Sequence, residues 1–165
     1  MEIKDKVVVI TGANGGIGSA IARKLDKEGC FLVLAARTIE SLTDLKKDLK
    51  TNYLEVEMDV ANSKSVSDAF TTILEKVESI DVLVNVAGVM PLTYLKNLHL
   101  DEWLNTIEVN VKGILRTLHG ALPSMKKQNK GHIVNIASVD GKELYKGGAV
   151  YGASKAAIIA LSRAM

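Results

Sequence analysis

The sequence is poor in cysteine, aromatic residues and charge of one sign, and it has no long hydrophobic run. A single cysteine, Cys30, occurs among the 165 residues, which excludes an intrachain disulfide and is typical of a reducing compartment. No apolar segment approaches the length of a transmembrane helix, and the first residues lack the apolar stretch of a secretory signal. We therefore expect a cytoplasmic protein that does not act in a membrane. Its core should be aliphatic, because aromatic residues make up only 4%.

The charge balance argues against a nucleic-acid partner and against a metal site. The formal net charge is +2, and the basic cluster of Lys126, Lys127 and Lys130 is small and has no interleaved aromatic residues. The three histidines are widely spaced, without partners at the intervals of metal ligands: His99, His119 and His132. We expect neither nucleic acid nor a metal ion to bind.

Short apolar runs alternate with longer amphipathic segments along the chain. The apolar runs are rich in β-branched residues and predict strands at 7–10, 31–36, 53–58, 82–86 and 133–137. Between them, aliphatic residues recur at helical spacing over 17–25, 42–49 and 66–77. Strands that are apolar on both faces and separated by helices predict parallel β-α-β units. We expect a single α/β domain over residues 1–165, a doubly wound parallel sheet with helices on both faces.

A long helical pattern over 101–128 contains two irregular positions. Apolar residues continue along one face of this segment, but the pattern predicts a break near Asn110. Pro123 lies inside the segment, and a proline in a helix interior costs about 3 kcal/mol. The sequence therefore predicts a kink at Pro123 or a helix that ends sooner.

A glycine-rich loop separates the first predicted strand from the first predicted helix. Small residues in this position let backbone amides approach a pyrophosphate at the positive end of the following helix. The alternative is a tight turn without a ligand. No Lys-Ser or Lys-Thr pair follows the glycines, which excludes a Walker A loop. The loop predicts a Rossmann-type dinucleotide site, with these residues in contact with the coenzyme: Gly12, Asn14, Gly15, Gly16, Ile17 and Gly18.

The end of the second predicted strand favours NADP over NAD. Folds that prefer NAD usually have an acidic residue there for the ribose hydroxyl, whereas this chain has Ala36 followed by Arg37. A guanidinium would pair with a 2'-phosphate, although a surface arginine at a strand end is the alternative. After the third strand, Asp59 and Val60 are expected to flank the adenine.

Five motifs together resemble the short-chain dehydrogenase/reductase family along the whole chain. They are residues 11–18, "NVAG" at 85–88, Asn110 in "VNVKG", Ser138 in "NIASV", and "YGASK" at 151–155. The resemblance implies that Asn85, Ala87 and Gly88 support the sheet and the adenosine side of the coenzyme. Val86 departs from the family pattern, which commonly has a second asparagine there.

The resemblance also implies the catalytic residues. Ser138 would orient the substrate oxygen, Tyr151 would transfer the proton, and Lys155 would bind the nicotinamide ribose, with Tyr151 also touching the coenzyme. Asn110 would hold a water that relays protons. The spacing agrees, because Tyr151 and Lys155 are i and i+4 on a helix. An acid-base tyrosine must be more acidic than a free phenol, and a cation about 4 Å away supplies about 4 kcal/mol at an effective dielectric of 20.

The sequence leaves two functions of different class open. Family members continue beyond the tyrosine helix with two more strands and a substrate loop, so we expect these to be missing and 133–137 to be a sheet edge. The first function is reduction of a small carbonyl, or oxidation of an alcohol or hydroxy acid, with NADP. The second is a nucleotide-binding module without turnover. Segments 88–92 and 143–148 are expected to line the substrate pocket, and a homodimer or homotetramer is expected by analogy alone.

Overall fold

The computed structural model describes residues 2–143 and 145–165, and its regular elements alternate as the sequence predicts. The strands are β1 Val7–Thr11, β2 Phe31–Ala36, β3 Tyr53–Glu57, β4 Val82–Asn85 and β5 His132–Asn135. The helices are α1 Gly16–Lys27, α2 Thr43–Lys46, α3 Ser63–Lys76, α4 Leu100–Ile107, α5 Gly113–Lys127 and α6 Ala149–Ala164. Each predicted strand is present, with ends that differ by one or two residues.

The five strands form one parallel sheet in the order β3-β2-β1-β4-β5. The chain first builds outward from β1 through β2 to β3, and then crosses back to place β4 on the other side of β1. Because all strands are parallel, their carboxyl ends lie at the same edge of the sheet. The change of direction between β1 and β4 opens a crevice at that edge, which is where ligands bind in open α/β sheets.

Helices cover both faces of the sheet, each over its own hydrophobic core. Alternate residues of β1 point to opposite sides, Val9 toward one core and Val8 toward the other. The core on the side of Val9 contains Phe70 of α3 and Leu118 of α5, with Ile158 of α6. The other core contains Ala22 of α1, Leu42 directly before α2 and Leu45 within it. The predicted doubly wound Rossmann-type architecture is confirmed.

Two predicted helical features require correction. The segment 42–49 forms a 3-10 turn, Ile39–Leu42, followed by the short α2, which ends at Lys46. Around Pro123 the prediction of an early end was wrong, because α5 continues through this residue to Lys127. The last turn is anchored by tertiary contacts: Met125 is buried, and the Ser124 hydroxyl accepts a 3.0 Å hydrogen bond from the Ile80 amide. These contacts offset the hydrogen bond that a proline cannot donate.

The predicted break near Asn110 is a π-helical turn, Glu108–Lys112, between α4 and α5. At one sheet edge, β5 pairs with β4 and its residues are half-buried, apart from the exposed His132. No helix within residues 2–143 and 145–165 is long and apolar enough to cross a membrane.

Candidate active site

A cavity of about 460 Å³ lies at the carboxyl edge of the sheet, in the crevice between β1 and β4. The glycine loop forms one wall and the loop after β4 forms the facing wall. The volume falls in the usual range for a small-molecule or coenzyme pocket. The sequence-predicted coenzyme residues that line it are Gly12, Asn14, Gly15, Gly16, Ile17, Gly18, Arg37, Asp59, Val60, Ala87 and Gly88.

Two glycines of the loop occupy positions that no other residue fits. Gly12 has a φ of +63°, and a Cβ atom there would lie 2.9 Å from Ala87 Cα. A Cβ atom at Gly18 would lie 2.3 Å from the Gly12 carbonyl oxygen. The loop therefore folds tightly onto the start of α1, and the unpaired amides of the first turn of α1 are presented at this wall of the cavity. Such a cradle of backbone amides suits a pyrophosphate.

The wall opposite the glycine loop is fixed by Thr11 at the end of β1. Its hydroxyl accepts hydrogen bonds from the amides of Val86 at 3.1 Å and Ala87 at 3.2 Å. Asn85 does not line the cavity but is buried within the fold. Its side-chain Nδ2 donates to Asn135 Oδ1 at 2.8 Å, and its side-chain Oδ1 accepts from the Thr117 hydroxyl at 2.7 Å. Asn85 thus supports the sheet and its neighbours form the pocket.

At the outer end of the cavity lie Arg37 and the loop after β3. Arg37 is exposed and borders the cavity directly after β2. The Asp59 carboxylate accepts a 3.0 Å hydrogen bond from the Ala61 amide, which stabilises the loop that carries Val60. A guanidinium at this rim can pair with an anionic substituent of a bound nucleotide.

Tyr151 and Lys155 lie one turn apart on α6. Lys155 Nζ is 5.7 Å from the centroid of the Tyr151 ring and donates a 2.7 Å hydrogen bond to the Ile136 carbonyl. Both side chains are largely buried, with Tyr151 9% and Lys155 5% exposed. Burial lowers the pKa of the Lys155 ammonium, because a charged group loses its hydration. An ammonium held beside a phenol stabilises negative charge on the phenolic oxygen.

The π-helical turn places Asn110 against α6. Its Oδ1 accepts a 2.8 Å hydrogen bond from the Val89 amide, and its Nδ2 donates to the Val89 carbonyl at 2.9 Å and to Ser154 Oγ at 3.0 Å. Both amide hydrogens are therefore used within the protein. The role of Asn110 in holding a water remains a prediction.

Ser138 heads the 3-10 turn Val139–Gly141, which packs against α6. Its hydroxyl accepts a 3.2 Å hydrogen bond from the Asp140 amide and donates one of 3.2 Å to Asp140 Oδ2. A Cβ atom at Gly141 would lie 2.8 Å from the Lys155 carbonyl carbon, so the turn is in direct contact with the helix that carries Tyr151.

Gly88 joins the cavity to these side chains. It lines the cavity, and a Cβ atom at this position would lie 3.2 Å from Asn110 Oδ1 and 3.8 Å from Lys155 Nζ. Gly88 therefore lies between the cavity and the Asn110 and Lys155 side chains, which do not themselves line the cavity.

Sequence reasoning missed several residues that shape the site. Ser154 is fully buried and bridges Asn110 to the Tyr151 carbonyl, to which it donates at 2.6 Å. Only its place between Tyr151 and Lys155 could have indicated this. Further cavity residues without a sequence signal are Met58, Ala61, Asn105 and Val109. Of the predicted lining segment 143–148, residue 144 lies outside the described residues.

Comparisons with known proteins agree on one family. The family model described as short chain dehydrogenase matches residues 6–165. An uncharacterized oxidoreductase of Staphylococcus epidermidis is 39% identical over 164 residues, which cover 99% of this chain and 71% of the relative.

Solved structures of similar proteins contain either coenzyme. A metagenomic short-chain oxidoreductase in complex with NADP has a TM-score of 0.93 and 34% identity, with 99% of this chain and 76% of that chain covered. A short chain dehydrogenase/reductase from Burkholderia phymatum in complex with NAD has a TM-score of 0.94 and 33% identity, with 99% and 60% covered.

Proposed function

The chain belongs to the short-chain dehydrogenase/reductase family of oxidoreductases, and on that premise we propose that it transfers a hydride between NADPH and a small carbonyl or alcohol. The observation that carries the proposal is the junction at Gly88. Gly88 lines the cavity that would hold the coenzyme and lies beside the Lys155 and Asn110 side chains, and Lys155 in turn lies over the Tyr151 ring.

The described residues fit a pyridine dinucleotide. Gly12 and Gly18 have no room for a side chain, and the loop between them presents backbone amides for a pyrophosphate. Arg37 at the rim supports a preference for NADP, because the usual acidic partner of an unphosphorylated ribose is replaced by Ala36. When bound, the coenzyme would supply or accept the hydride.

The side chains of α6 and the 138–141 turn would move and orient the proton. In the reducing direction Tyr151 donates its phenolic proton to the carbonyl oxygen as the carbonyl carbon becomes tetrahedral, and in the oxidising direction the phenolate takes the proton back. Lys155 stabilises the phenolate through its buried ammonium. Ser138 holds the substrate oxygen by hydrogen bonding. Asn110 and Ser154 hold α6 against the loop after β4 through hydrogen bonds.

A spectrophotometric assay tests this function. NADPH absorbance should fall with a panel of small aldehydes and ketones, and the Tyr151→Phe variant should abolish the decline. Binding of NADPH without consumption by any of them would instead favour a nucleotide-binding module, the alternative that the sequence left open.

Coenzyme preference is tested by thermal shift. NADPH should raise the melting temperature more than NADH does. In Arg37→Ala the apparent affinity for NADPH should fall about tenfold, so that its thermal shift approaches that of NADH. Arg163→Ala, at an exposed arginine in the last turn of α6, is the matched control. Equal shifts with both coenzymes in the wild type would remove Arg37 from the proposal. A cytoplasmic location and homo-oligomeric assembly also remain proposals.

A further inference from the structure

We propose that Asp140 is a specificity-determining residue that selects substrates with a cationic group beside the reacting carbon and rejects those with a carboxylate there. The inference rests on the proposed function, because it takes Ser138 as the hydroxyl that holds the substrate oxygen. It specifies, in addition, the charge of the substrate that the site prefers.

Asp140 is one hydrogen bond from the position of the reacting oxygen. The Ser138 hydroxyl donates to Asp140 Oδ2 at 3.2 Å, and the same hydroxyl accepts from the Asp140 amide. A hydroxyl has one hydrogen and two lone pairs, and Asp140 takes the hydrogen and one lone pair of Ser138. To hold a substrate carbonyl oxygen, the Ser138 hydroxyl rotates this hydrogen from Asp140 Oδ2 to the substrate. A substrate oxygen held by Ser138 is therefore a close neighbour of a carboxylate.

A second hydroxyl converges on the same carboxylate oxygen. Tyr145 donates to Asp140 Oδ2 at 3.3 Å while its side chain stays 44% exposed. The pKa of Tyr145 is raised by burial of its hydroxyl, by the Asp140 charge and hydrogen bond, and by Tyr151. Gly148, directly before α6, packs on the Tyr145 ring, since a Cβ atom there would lie 3.1 Å from Tyr145 Cζ. Tyr145 therefore lies at the end of α6 that carries Tyr151.

The position of Asp140 is fixed by the backbone. Gly141 packs so closely on α6 that a Cβ atom would lie 2.8 Å from the Lys155 carbonyl carbon and 2.9 Å from the Ala156 amide nitrogen. This contact keeps the backbone of the turn, and with it Asp140, against α6. The hydrogen bonds from Ser138 and Tyr145 hold the carboxylate itself.

Within the described part of the chain, no lysine or arginine forms an ion pair with Asp140. Lys155, the cation of the site, is directed to the Ile136 carbonyl. Within residues 2–143 and 145–165, Asp140 Oδ1 accepts no hydrogen bond, whereas Oδ2 accepts those of Ser138 and Tyr145. An ammonium on the substrate would complement this charge, and a carboxylate would be repelled by it.

Three small ketones that differ in charge test the proposal. They are freshly prepared aminoacetone, which is cationic, its neutral isostere 2-butanone, and pyruvate, which is anionic. We expect kcat/KM with NADPH to be about three- to tenfold higher for aminoacetone than for 2-butanone, and lowest for pyruvate. The advantage of aminoacetone should shrink as ionic strength rises.

The variant Asp140→Asn keeps the shape of the side chain and removes its charge. It should lower the ratio of kcat/KM for aminoacetone to that for 2-butanone by about the same three- to tenfold. Glu75→Gln, which neutralises an exposed carboxylate on α3, is the matched control and should leave the ratio unchanged. Thermal shifts of the protein saturated with NADP⁺, which cannot reduce a ketone, should rank the three compounds in the same order without turnover.

The results separate the two proposals. A wild-type protein that treats the three ketones alike, or a ratio that Asp140→Asn does not change, would overturn the role of Asp140. If Asp140→Asn fails to fold, the ranking of the three ketones by the wild-type protein and its dependence on ionic strength still test the role of Asp140. A protein that binds neither coenzyme would overturn the proposed function itself, and with it the inference.

Discussion

The two halves of the candidate site are held together by different means. The coenzyme half, between β1 and the glycine loop, is shaped by backbone contacts: Gly12 and Gly18 fit because they have no side chain. The catalytic half, on α6 and the π-helical turn, is shaped by side chains that hydrogen-bond to one another, with Asn110 at the centre. The two halves lie next to each other at Gly88, a glycine of the coenzyme half that is close to the Asn110 and Lys155 side chains of the catalytic half.

The difference indicates how each half tolerates change. A backbone cradle fails when an atom is added at a position without room for it, because a packed interior cannot yield by an ångström without a large cost. A hydrogen-bonded group fails when an atom is removed, because the remaining partner stays buried without a bond. Four substitutions separate these two kinds of failure, in order of decreasing expected effect.

Tyr151→Phe should separate chemistry from coenzyme binding most sharply. Removing the phenolic hydroxyl removes the proposed proton donor, so kcat should fall about a thousandfold. The coenzyme dissociation constant, measured by fluorescence titration, should change only a few-fold, because the cradle is intact. Tyr94→Phe, at an exposed tyrosine, is the control. Turnover within tenfold of wild type in Tyr151→Phe would contradict the assignment.

Gly18→Ala should damage the coenzyme half. The added methyl would lie 2.3 Å from the Gly12 carbonyl oxygen, so the loop must shift, and coenzyme affinity should fall about a hundredfold with loss of stability. Gly16→Ala is the matched control for folding, because nothing lies within 4 Å of a Cβ atom there. Calorimetry and thermal unfolding measure the two effects. Equal stability of the two variants would refute the steric explanation.

Ser154→Ala should weaken the catalytic half without touching the cradle. It leaves one Asn110 amide hydrogen unpaired in a buried site, which costs about 1–3 kcal/mol of stability. We expect kcat to fall about tenfold, with little change in coenzyme affinity. Ser162→Ala, on the exposed side of the same helix, should have a smaller effect on both stability and kcat. If Ser154→Ala changes coenzyme affinity more than kcat, the division between the halves is wrong.

Asp26→Asn should affect stability alone, because Asp26 lies at the far end of α1. Burial raises the pKa of this carboxyl, but hydrogen bonds from the Thr51 side chain and from the Thr51 and Lys50 amides outweigh it and lower the pKa below its ordinary value of 3.8. The stabilisation is present above pH 3.8 and is lost as the pH falls through the lower, folded-state pKa.

At neutral pH the Asn variant should be about 2 kcal/mol less stable, and chemical denaturation should show this difference shrink as the pH falls below about 4. Coenzyme affinity should not change. A stability difference that is constant with pH would show that the charge of Asp26 contributes nothing.

The alternation of strands and helices could be predicted because its signal is local. Apolar β-branched runs such as Phe31–Ala36 and helical spacing such as that of α3 are set by neighbouring residues. The same local reasoning wrongly predicted an early helix end at Pro123. The end of α5 is held by contacts of Met125 and Ser124 with distant parts of the chain.

The order of motifs along the chain determined by itself the fold class, the position of the glycine loop and the pairing of Tyr151 with Lys155, since these depend on spacing within one strand or helix. Tertiary structure alone decided that Ser154 bridges Asn110 to α6, that Asn85 supports the sheet instead of lining the cavity, and that Asp140 receives the Ser138 hydroxyl. The physical reason is direction. A hydrogen bond forms only where packing aims one side chain at another, and spacing along the sequence carries no such information.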